Sequence, residues 1–326
     1  MADGSAGDVS VAIANWNGMK YIERCLGALY AQTQAPAEIV VVDNGSTDGS
    51  REWIAENFPH IKLLLNEENE GFSAGYNRAI SACTHEYILV LNTDVFVEAD
   101  FIEVVLPALQ RDSTIGAATG KVYQQATGEW LNSGFFLRPQ MRTRHSAQTE
   151  KSEQVFGCSG ALILFRRAAL ADLVVDGQYF DESYFSYGED VDLAWRAQLL
   201  GWKSWYTPRA NAVHVGSGSS NEQMRFVDKP LFLQRHILKN RYLTIAKNAS
   251  WPELVPLIFY WLISEPLVWF ILFVRSPRRC IHLVPSLYEA LRLMPRAMRW
   301  RREMQARRVL GPVSYTHLTL PTKRIV

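Results

Sequence analysis

Four times within about the first ninety residues, a short run of strand formers gives way to turn residues and then to a helical pattern. Residues 9–14 (VSVAIA) end in Asn15-Trp16-Asn17-Gly18, ahead of a helical stretch over 21–32. Residues 38–42 (EIVVV) end in Asp43-Asn44-Gly45-Ser46, and helical pattern resumes over 51–58. Residues 61–65 (IKLLL) lead through Asn66 to Gly71-Phe72-Ser73-Ala74-Gly75-Tyr76-Asn77, and residues 87–91 (YILVL) end in Asn92-Thr93-Asp94. Strand runs bounded by turn residues and alternating with helices predict an α/β fold with a parallel, doubly wound sheet. Right-handed crossovers set all four tails along one edge. Ligands bind beyond the carboxyl ends of strands in such sheets. Trp16, Asp43, Gly71 and Asp94 should therefore meet there.

These residue types suit a nucleoside diphosphate. The Trp16 face can stack on a base, and Asp43 can accept from a pyrimidine N–H or a ribose hydroxyl. The small residues Gly71, Ser73 and Gly75 let a helix start approach a ligand closely. Asp94 offers hard oxygens to Mg²⁺ or Mn²⁺. Each also has an ordinary structural reading: a rim tryptophan, turn or capping aspartates, packing glycines. The spacing is neither the G-x-G-x-x-G fingerprint nor a P-loop, so phosphate charge must be met by a metal and basic side chains.

A second constellation lies downstream. An aromatic segment over 180–188 precedes Glu189-Asp190-Val191-Asp192, and a helix follows until Gly201. Acids in a first helical turn are favoured by the macrodipole. Adjacent acids in an apolar setting are also how a general base is made, because burial raises a carboxylate's pKa towards working pH. A short strand over 204–206 follows. His214 then ends a strand-like segment and leads into a Gly/Ser loop, which suits a metal ligand as well as a structural histidine.

Taken in order, Asn15-Trp16-Asn17-Gly18, Val42-Asp43-Asn44-Gly45, Asn69-Glu70-Gly71-Phe72, Leu91-Asn92-Thr93-Asp94, Gly157-Cys158-Ser159-Gly160-Ala161, Glu189-Asp190-Val191-Asp192 and His214 resemble the motifs of a family-2 glycosyltransferase. The likeness is closest to the rhamnosyltransferase-like branch and covers roughly residues 8–250. It implies a GT-A fold: a mostly parallel, Rossmann-like sheet flanked by helices. It also implies inverting, metal-dependent transfer of a sugar, rhamnose for this branch, from a dTDP- or UDP-sugar. The acceptor would be a hydroxyl of a glycan or lipid-linked molecule in cell-surface polysaccharide synthesis. By the same resemblance Asn15, Trp16, Asn17, Asp43, Asn44, Gly71, Phe72, Gly75, Asn77, Asn92 and Asp94 bind the donor. Asp94 and His214 hold Mg²⁺ or Mn²⁺, and Asp190 is the base with Glu189 as its competitor. Gly157, Ser159, Gly160 and Trp130 form the acceptor floor. Asn92 replaces the first aspartate of the family's D-x-D element, which leaves one charge fewer. Arg241, in Lys239-Asn240-Arg241-Tyr242, is either a diphosphate contact or a solvated charge. The alternative function is a non-catalytic nucleotide-sugar or glycan binder. That reading predicts loss of Asp94 or of the Glu189-Asp190 pair, and both are present. A nucleotidyltransferase would need a Gly/Arg-rich first loop, which residues 15–20 do not supply.

The expected organisation is a donor half (8–110), an acceptor and catalytic half (111–250), a membrane-associated helical region (251–312), and a tail over 313–326 that resembles a translated sequencing adapter. The overall charge of +1 hides a split: residues 275–312 hold ten Arg and two Glu, a net +8. Before them lies 254–274 (LVPLIFYWLISEPLVWFILFV), long enough to span a bilayer but divided by Glu265-Pro266. We expect an in-plane or re-entrant helical pair, with the arginines on anionic headgroups at the cytoplasmic face of the membrane. A true span and a soluble dimer face remain alternatives, and a homo-oligomer stays open. The arginine run lacks the interleaved aromatics of a nucleic-acid surface. Residues 1–8 lack the basic and apolar regions of a signal peptide. The four cysteines show no metal or bridging pattern, as expected of thiols in a reducing cytosol.

Overall fold

The computed structural model of the chain describes residues 8–132, 134–137, 143–145, 150–216 and 226–311; the adapter-like tail lies outside them. The four strand–helix units form β1 (Val9–Asn15), α1 (Met19–Tyr30), β2 (Glu38–Asn44), α2 (Ser50–Asn57), β3 (Lys62–Asn66), α3 (Gly71–Ala82) and β4 (Tyr87–Leu91). β1 pairs in parallel with β2 and β4, and β2 with β3, so the order is 3-2-1-4. Side chains alternate between two covered faces. Val11 and Ile13 of β1, Val41 of β2 and Leu89 and Leu91 of β4 pack towards Ile22, Leu26 and Leu29 of α1. Ala12, Val40, Val42, Ile88 and Val90 pack towards Tyr76, Ala79 and Ile80 of α3. Burial on both faces is why these strands read as continuous apolar runs.

The second half adds β5 (Val95–Val97), α4 (Phe101–Arg111), β6 (Ile115–Gln124), β7 (Trp130–Asn132), β8 (Gly134–Leu137), β9 (Thr143–His145), β10 (Glu153–Val155), β11 (Gly157–Cys158), β12 (Leu162–Arg166), α5 (Arg167–Leu173), α6 (Glu189–Leu199) and β13 (Lys203–His214). The main sheet runs β10-β13-β6-β12-β4-β1-β2-β3, and β11-β8-β9 form a small second sheet. The sheet is mixed rather than mostly parallel, because β12 enters antiparallel between β4 and β6. The short strand expected over 204–206 is one end of the twelve-residue β13, which runs parallel to β6 and carries His214 to the site edge.

Three helices end the described residues: α7 (Leu231–Asn248), α8 (Trp251–Arg275) and α9 (Pro277–Ala306). α8 folds back antiparallel along α7. Tyr242 meets Trp261 edge-on, Arg241 pairs with Glu265, and Leu238 packs with Leu272. The expected break at Pro266 does not occur, and the helix runs on through it. Glu265, which looked like an interruption, is the inward-facing partner of Arg241 and of the Tyr242 hydroxyl (2.7 Å). The other flank of α8 exposes Phe259, Leu262, Ile263, Phe270 and Phe273. α9 returns along α7 and buries Leu283, Ala290, Ala297, Trp300 and Met304. The arginine run is therefore not a free tail. Arg301 donates to the Ala246 and Ala249 carbonyls at the end of α7, and Arg296 pairs with Asp181 at 3.3 Å. Arg275, Arg278, Arg292, Arg299 and Arg302 stay exposed.

Candidate active site

The carboxyl edge of β1–β3 is knitted together by short polar side chains. Asn15 donates through Nδ2 to Asp43 (2.9 Å) and Ser50 (2.9 Å), while the Ser46 N–H donates to the other Asp43 oxygen (2.9 Å). Asp43 is consequently fully buried, beneath the loop rather than on its surface. Asn44 donates to Asn69 Oδ1 and to the Gly71 carbonyl, both at 3.0 Å. Asn77 exchanges hydrogen bonds with the Phe180 backbone (2.8 Å each way), which ties α3 to the segment before α6. Of the residues assigned to the donor, Trp16 and Asn17 face solvent and Phe72 is half-buried, while Asn15, Asp43, Asn44 and Asn77 are committed to protein partners. Gly71 has φ +89°, and a Cβ there would lie 2.6 Å from the Phe185 ring. Only glycine fits both the backbone and the contact. A side chain at Gly75 would press on Ala14 of β1.

At the end of β4, Asn92 is used structurally. Its Oδ1 accepts from the Tyr76 hydroxyl (2.9 Å), and its N–H donates to the Ala161 carbonyl (3.0 Å). Asp94 is different. β5 pairs with β13 so that Val95 lies opposite His214, and the Val215 N–H donates to the Asp94 carbonyl at 2.9 Å. That register holds His214 Nε2 3.2 Å from Asp94 Oδ2, each side chain 12% exposed. Carboxylate and imidazole are suitable donors for Mn²⁺ or Mg²⁺. Among the described residues no third His, Cys, Asp or Glu joins them. The pair thus fits a cation that takes its other ligands from phosphate oxygens and water, as Mg²⁺ commonly does.

The first turn of α6 gives its three acids three environments. Asp192 is fully buried and answered by Arg196 (3.1 Å), Lys247 (2.9 Å) and Asn248 (2.7 Å). Glu189 is buried with Oε2 unpartnered. Burial, and then the neighbouring Asp190 charge, pushes its carboxyl well above the usual carboxylate range. Asp190 is partly open and accepts from the Gly160 N–H (3.1 Å) and the Val191 N–H (2.8 Å). Gly160 sits where a Cβ would come within 3.4 Å of the Asp190 Cβ and 3.3 Å of the Phe72 ring. Phe72 in turn packs on Tyr76 with ring centroids 4.3 Å apart. Asp190, Gly160, Phe72 and Tyr76 therefore form a contact chain that ends at the Asn92 turn.

The remaining acceptor-floor residues divide. Gly157 is a packing residue, since a Cβ would meet Ala194 at 2.4 Å. Ser159 is half-buried beside Gly160. Trp130 stacks on Tyr206 (6.0 Å) with the Lys121 ammonium over its ring. Arg241 is neither a diphosphate contact nor a solvated charge, because it is engaged by Glu265. Sequence reasoning missed Tyr76, Asn240, Lys247 and Trp300. Their signals were faint: a lone tryptophan in an arginine run, and a polar pair inside a helical pattern.

Comparison with known proteins bears on the family and the fold. Residues 10–174 match the model of "Glycosyl transferase family 2". The chain is 31% identical over 261 residues to an N-acetylglucosaminyl-diphospho-decaprenol L-rhamnosyltransferase of Mycobacterium tuberculosis, spanning 71% of this chain and 82% of that one. It is 26% identical over 223 residues to a poly-beta-1,6-N-acetyl-D-glucosamine synthase of Staphylococcus aureus, covering 62% of this chain and 48% of the synthase. A crystal structure of GalNAc-T7 with UDP, GalNAc and Mn²⁺ superposes with a TM-score of 0.54 at 17% identity, over 74% of this chain and 50% of that one. The chain belongs to glycosyl transferase family 2 and is a glycosyltransferase.

Proposed function

We propose that the chain transfers a sugar, L-rhamnose being the leading candidate, from a nucleoside diphosphate to a hydroxyl of a polyprenyl-diphosphate-linked glycan, with inversion. The observation that carries this reading is Asp190: a carboxylate held by the Gly160 and Val191 N–H groups and partly open, beside a buried Glu189. Asp190 takes the proton of the acceptor hydroxyl as that oxygen attacks the anomeric carbon. Burial disfavours the charged form of Glu189 beside it. Asp94 and His214 would hold the divalent cation, which when bound neutralises charge on the leaving diphosphate. The relative's decaprenol-linked substrate motivates the acceptor class.

α8 supports a place at the membrane. It is the one helix among the described residues long and apolar enough to cross a bilayer. Because it lies along α7 and α9 returns to the domain, an in-plane seat fits better than a span. Its apolar flank would enter the headgroup boundary with Arg275, Arg278 and Arg292 near anionic lipid.

The test is turnover of a polyprenyl-diphosphate N-acetylglucosamine acceptor with a panel of dTDP- and UDP-sugars. One donor should give product of inverted anomeric configuration, and Asp190→Asn should lower its turnover by about 100-fold or more. Retention of configuration, or full activity of Asp190→Asn, refutes the mechanism.

A further inference from the structure

The motif Lys239-Asn240-Arg241-Tyr242 turns out to serve two neighbours of α7, and its second residue faces the catalytic turn. We propose that Asn240 is a positioning residue that sets the geometry of Asp190 through the backbone of residues 184–188; this rests on Asp190 being the base. Three of the four residues immediately before Glu189 include left-handed or otherwise positive φ: Phe185 (+63°), Tyr187 (+70°) and Gly188 (+89°). Two of these are bulky aromatics, for which positive φ is costly and persists only where surrounding contacts enforce it.

Asn240 supplies that enforcement. It is 1% exposed, and its Nδ2 lies 3.1, 2.8 and 2.6 Å from the carbonyls of Tyr184, Ser186 and Tyr187. Three oxygens around one atom identify it as the amide nitrogen. Its two hydrogens are shared among three acceptors, with Tyr184 the longest contact. The Cβ of Asn240 also stands 3.7 Å from where a side chain on Gly188 would begin, and Gly188 is the residue from which α6 starts. The Asn240 Oδ1 is buried without a partner, so the residue is not there to satisfy itself. On the opposite side, the Ser73 N–H donates to the Phe185 carbonyl (3.3 Å), and Gly71 packs on the Phe185 ring. The turn is thus clamped between α3 and α7. Lys239 adds a bond to the Ser183 carbonyl (2.8 Å) outside the strained stretch.

Without the Asn240 amide the Ser186 and Tyr187 carbonyls lose that donor, the Tyr184 carbonyl keeps only the Ser186 N–H (2.7 Å), and the turn can relax. Relaxation moves the first residues of α6, and with them the carboxylate that must meet the acceptor hydroxyl. On the proposed reading the nucleotide binds at the carboxyl edge of β1–β4, to which Asn240 makes no hydrogen bond. The expected signature of Asn240→Ala is therefore a kcat lowered about 10- to 100-fold, since small misplacements of a reacting group cost up to about 100-fold. The donor KM, and nucleoside-diphosphate binding measured by calorimetry, should stay within about twofold.

The decisive experiment is a double-mutant cycle on the full chain, with residual rates followed by radiolabelled sugar. If Asn240 acts through Asp190, the Asn240→Ala/Asp190→Asn protein turns over within about twofold of Asp190→Asn alone. Asn240→Asp, of the same shape but able to donate at most one hydrogen, gives an intermediate loss and replaces the alanine variant in the cycle if that variant does not fold. The inference is overturned by wild-type kcat in both Asn240 variants, by a raised donor KM at unchanged kcat, or by losses that multiply in the double mutant. Wild-type turnover in Asp190→Asn instead defeats the reading of Asp190 as base, and the positioning role with it.

Discussion

Replacing Lys247 with methionine should destabilise the protein most at neutral pH and less in acid. The Lys247 ammonium is 1% exposed and lies 2.8 Å from Asp181 and 2.9 Å from Asp192. The rings of Tyr184 and Trp300 flank it at 4.3 and 4.5 Å. Methionine matches the volume but leaves two buried carboxylates short of their shared cation. Asp192 keeps Arg196 and Asn248, and Asp181 keeps the half-buried Arg296. Breaking a buried ion pair from one side costs about 3–5 kcal/mol. Burial by itself would raise the Asp181 carboxyl, but the Lys247 charge and hydrogen bond reverse this and hold it down to about 2, against an ordinary 3.8. That depression stabilises the fold above the unfolded value by about 2.5 kcal/mol. The stabilisation is lost as pH falls from 3.8 towards 2. In the variant the cation is gone and burial favours the neutral acid, so acid no longer costs it the same amount. Urea unfolding followed by tryptophan fluorescence in mild detergent, at pH 7 and pH 3, should show a deficit of about 3–5 kcal/mol that narrows by at least about 1 kcal/mol in acid. A deficit below about 1 kcal/mol at pH 7, or one that widens in acid, would refute this account of the cluster.

Three further outcomes follow from particular contacts. Asp94→Asn and His214→Ala should each weaken Mn²⁺ binding by about 10-fold or more while leaving thermal stability nearly unchanged; calorimetry with Mn²⁺ and nucleoside diphosphate reads this, and unaltered affinity counts against the site. Glu189→Gln mimics the neutral acid that burial favours, so it should retain activity within about 10-fold where Asp190→Asn loses about 100-fold; the reverse order exchanges their roles. Replacing Phe259, Ile263 and Phe270 together with serine should abolish flotation with anionic liposomes but leave nucleotide binding intact, and undiminished flotation would mean that α8 is not the contact.

The first ninety residues were legible because β1, β2 and β4 are buried on both faces, with only the edge strand β3 partly open, and each tail is turn chemistry, so local pattern and global fold agree. The pairing of Asp94 with His214 was legible only as two separate residues, since a β5–β13 register across more than a hundred positions brings them together. The C-terminal region was read least well, and for one reason. Charge was counted without knowing its partners. Lys247 finds Asp181 at a separation of 66 residues, and Arg241 finds Glu265 at 24, so neither pairing leaves a local periodic trace. The arginine run hid Trp300 in the same way: its indole N–H donates to Asp176 at 3.0 Å, and the Arg196 guanidinium lies over its ring. A sequence in which α9 covers the catalytic domain and one in which it trails free have nearly the same composition.

That covering changes what the C-terminal helices are for. Successive residues on α7 point about 100° apart, so four in a row reach both of its flanks. Lys239 and Asn240 hold the turn that feeds Asp190, while Arg241 and Tyr242 hold Glu265 on α8. α9 closes the layer by capping α7 through Arg301 and by sealing Lys247 beneath Trp300. No loop intervenes between the apolar helix and the catalytic turn; one rigid helix separates them. If α8 rests in the headgroup boundary as proposed, the membrane plane and the Asp190 carboxylate are fixed relative to each other by the same α7 turn. A diphosphate-linked acceptor, whose own height is set by its lipid, then meets the base at a defined depth. Deleting 277–311 would for this reason expose Tyr184, Arg196 and Lys247 rather than release an intact soluble domain.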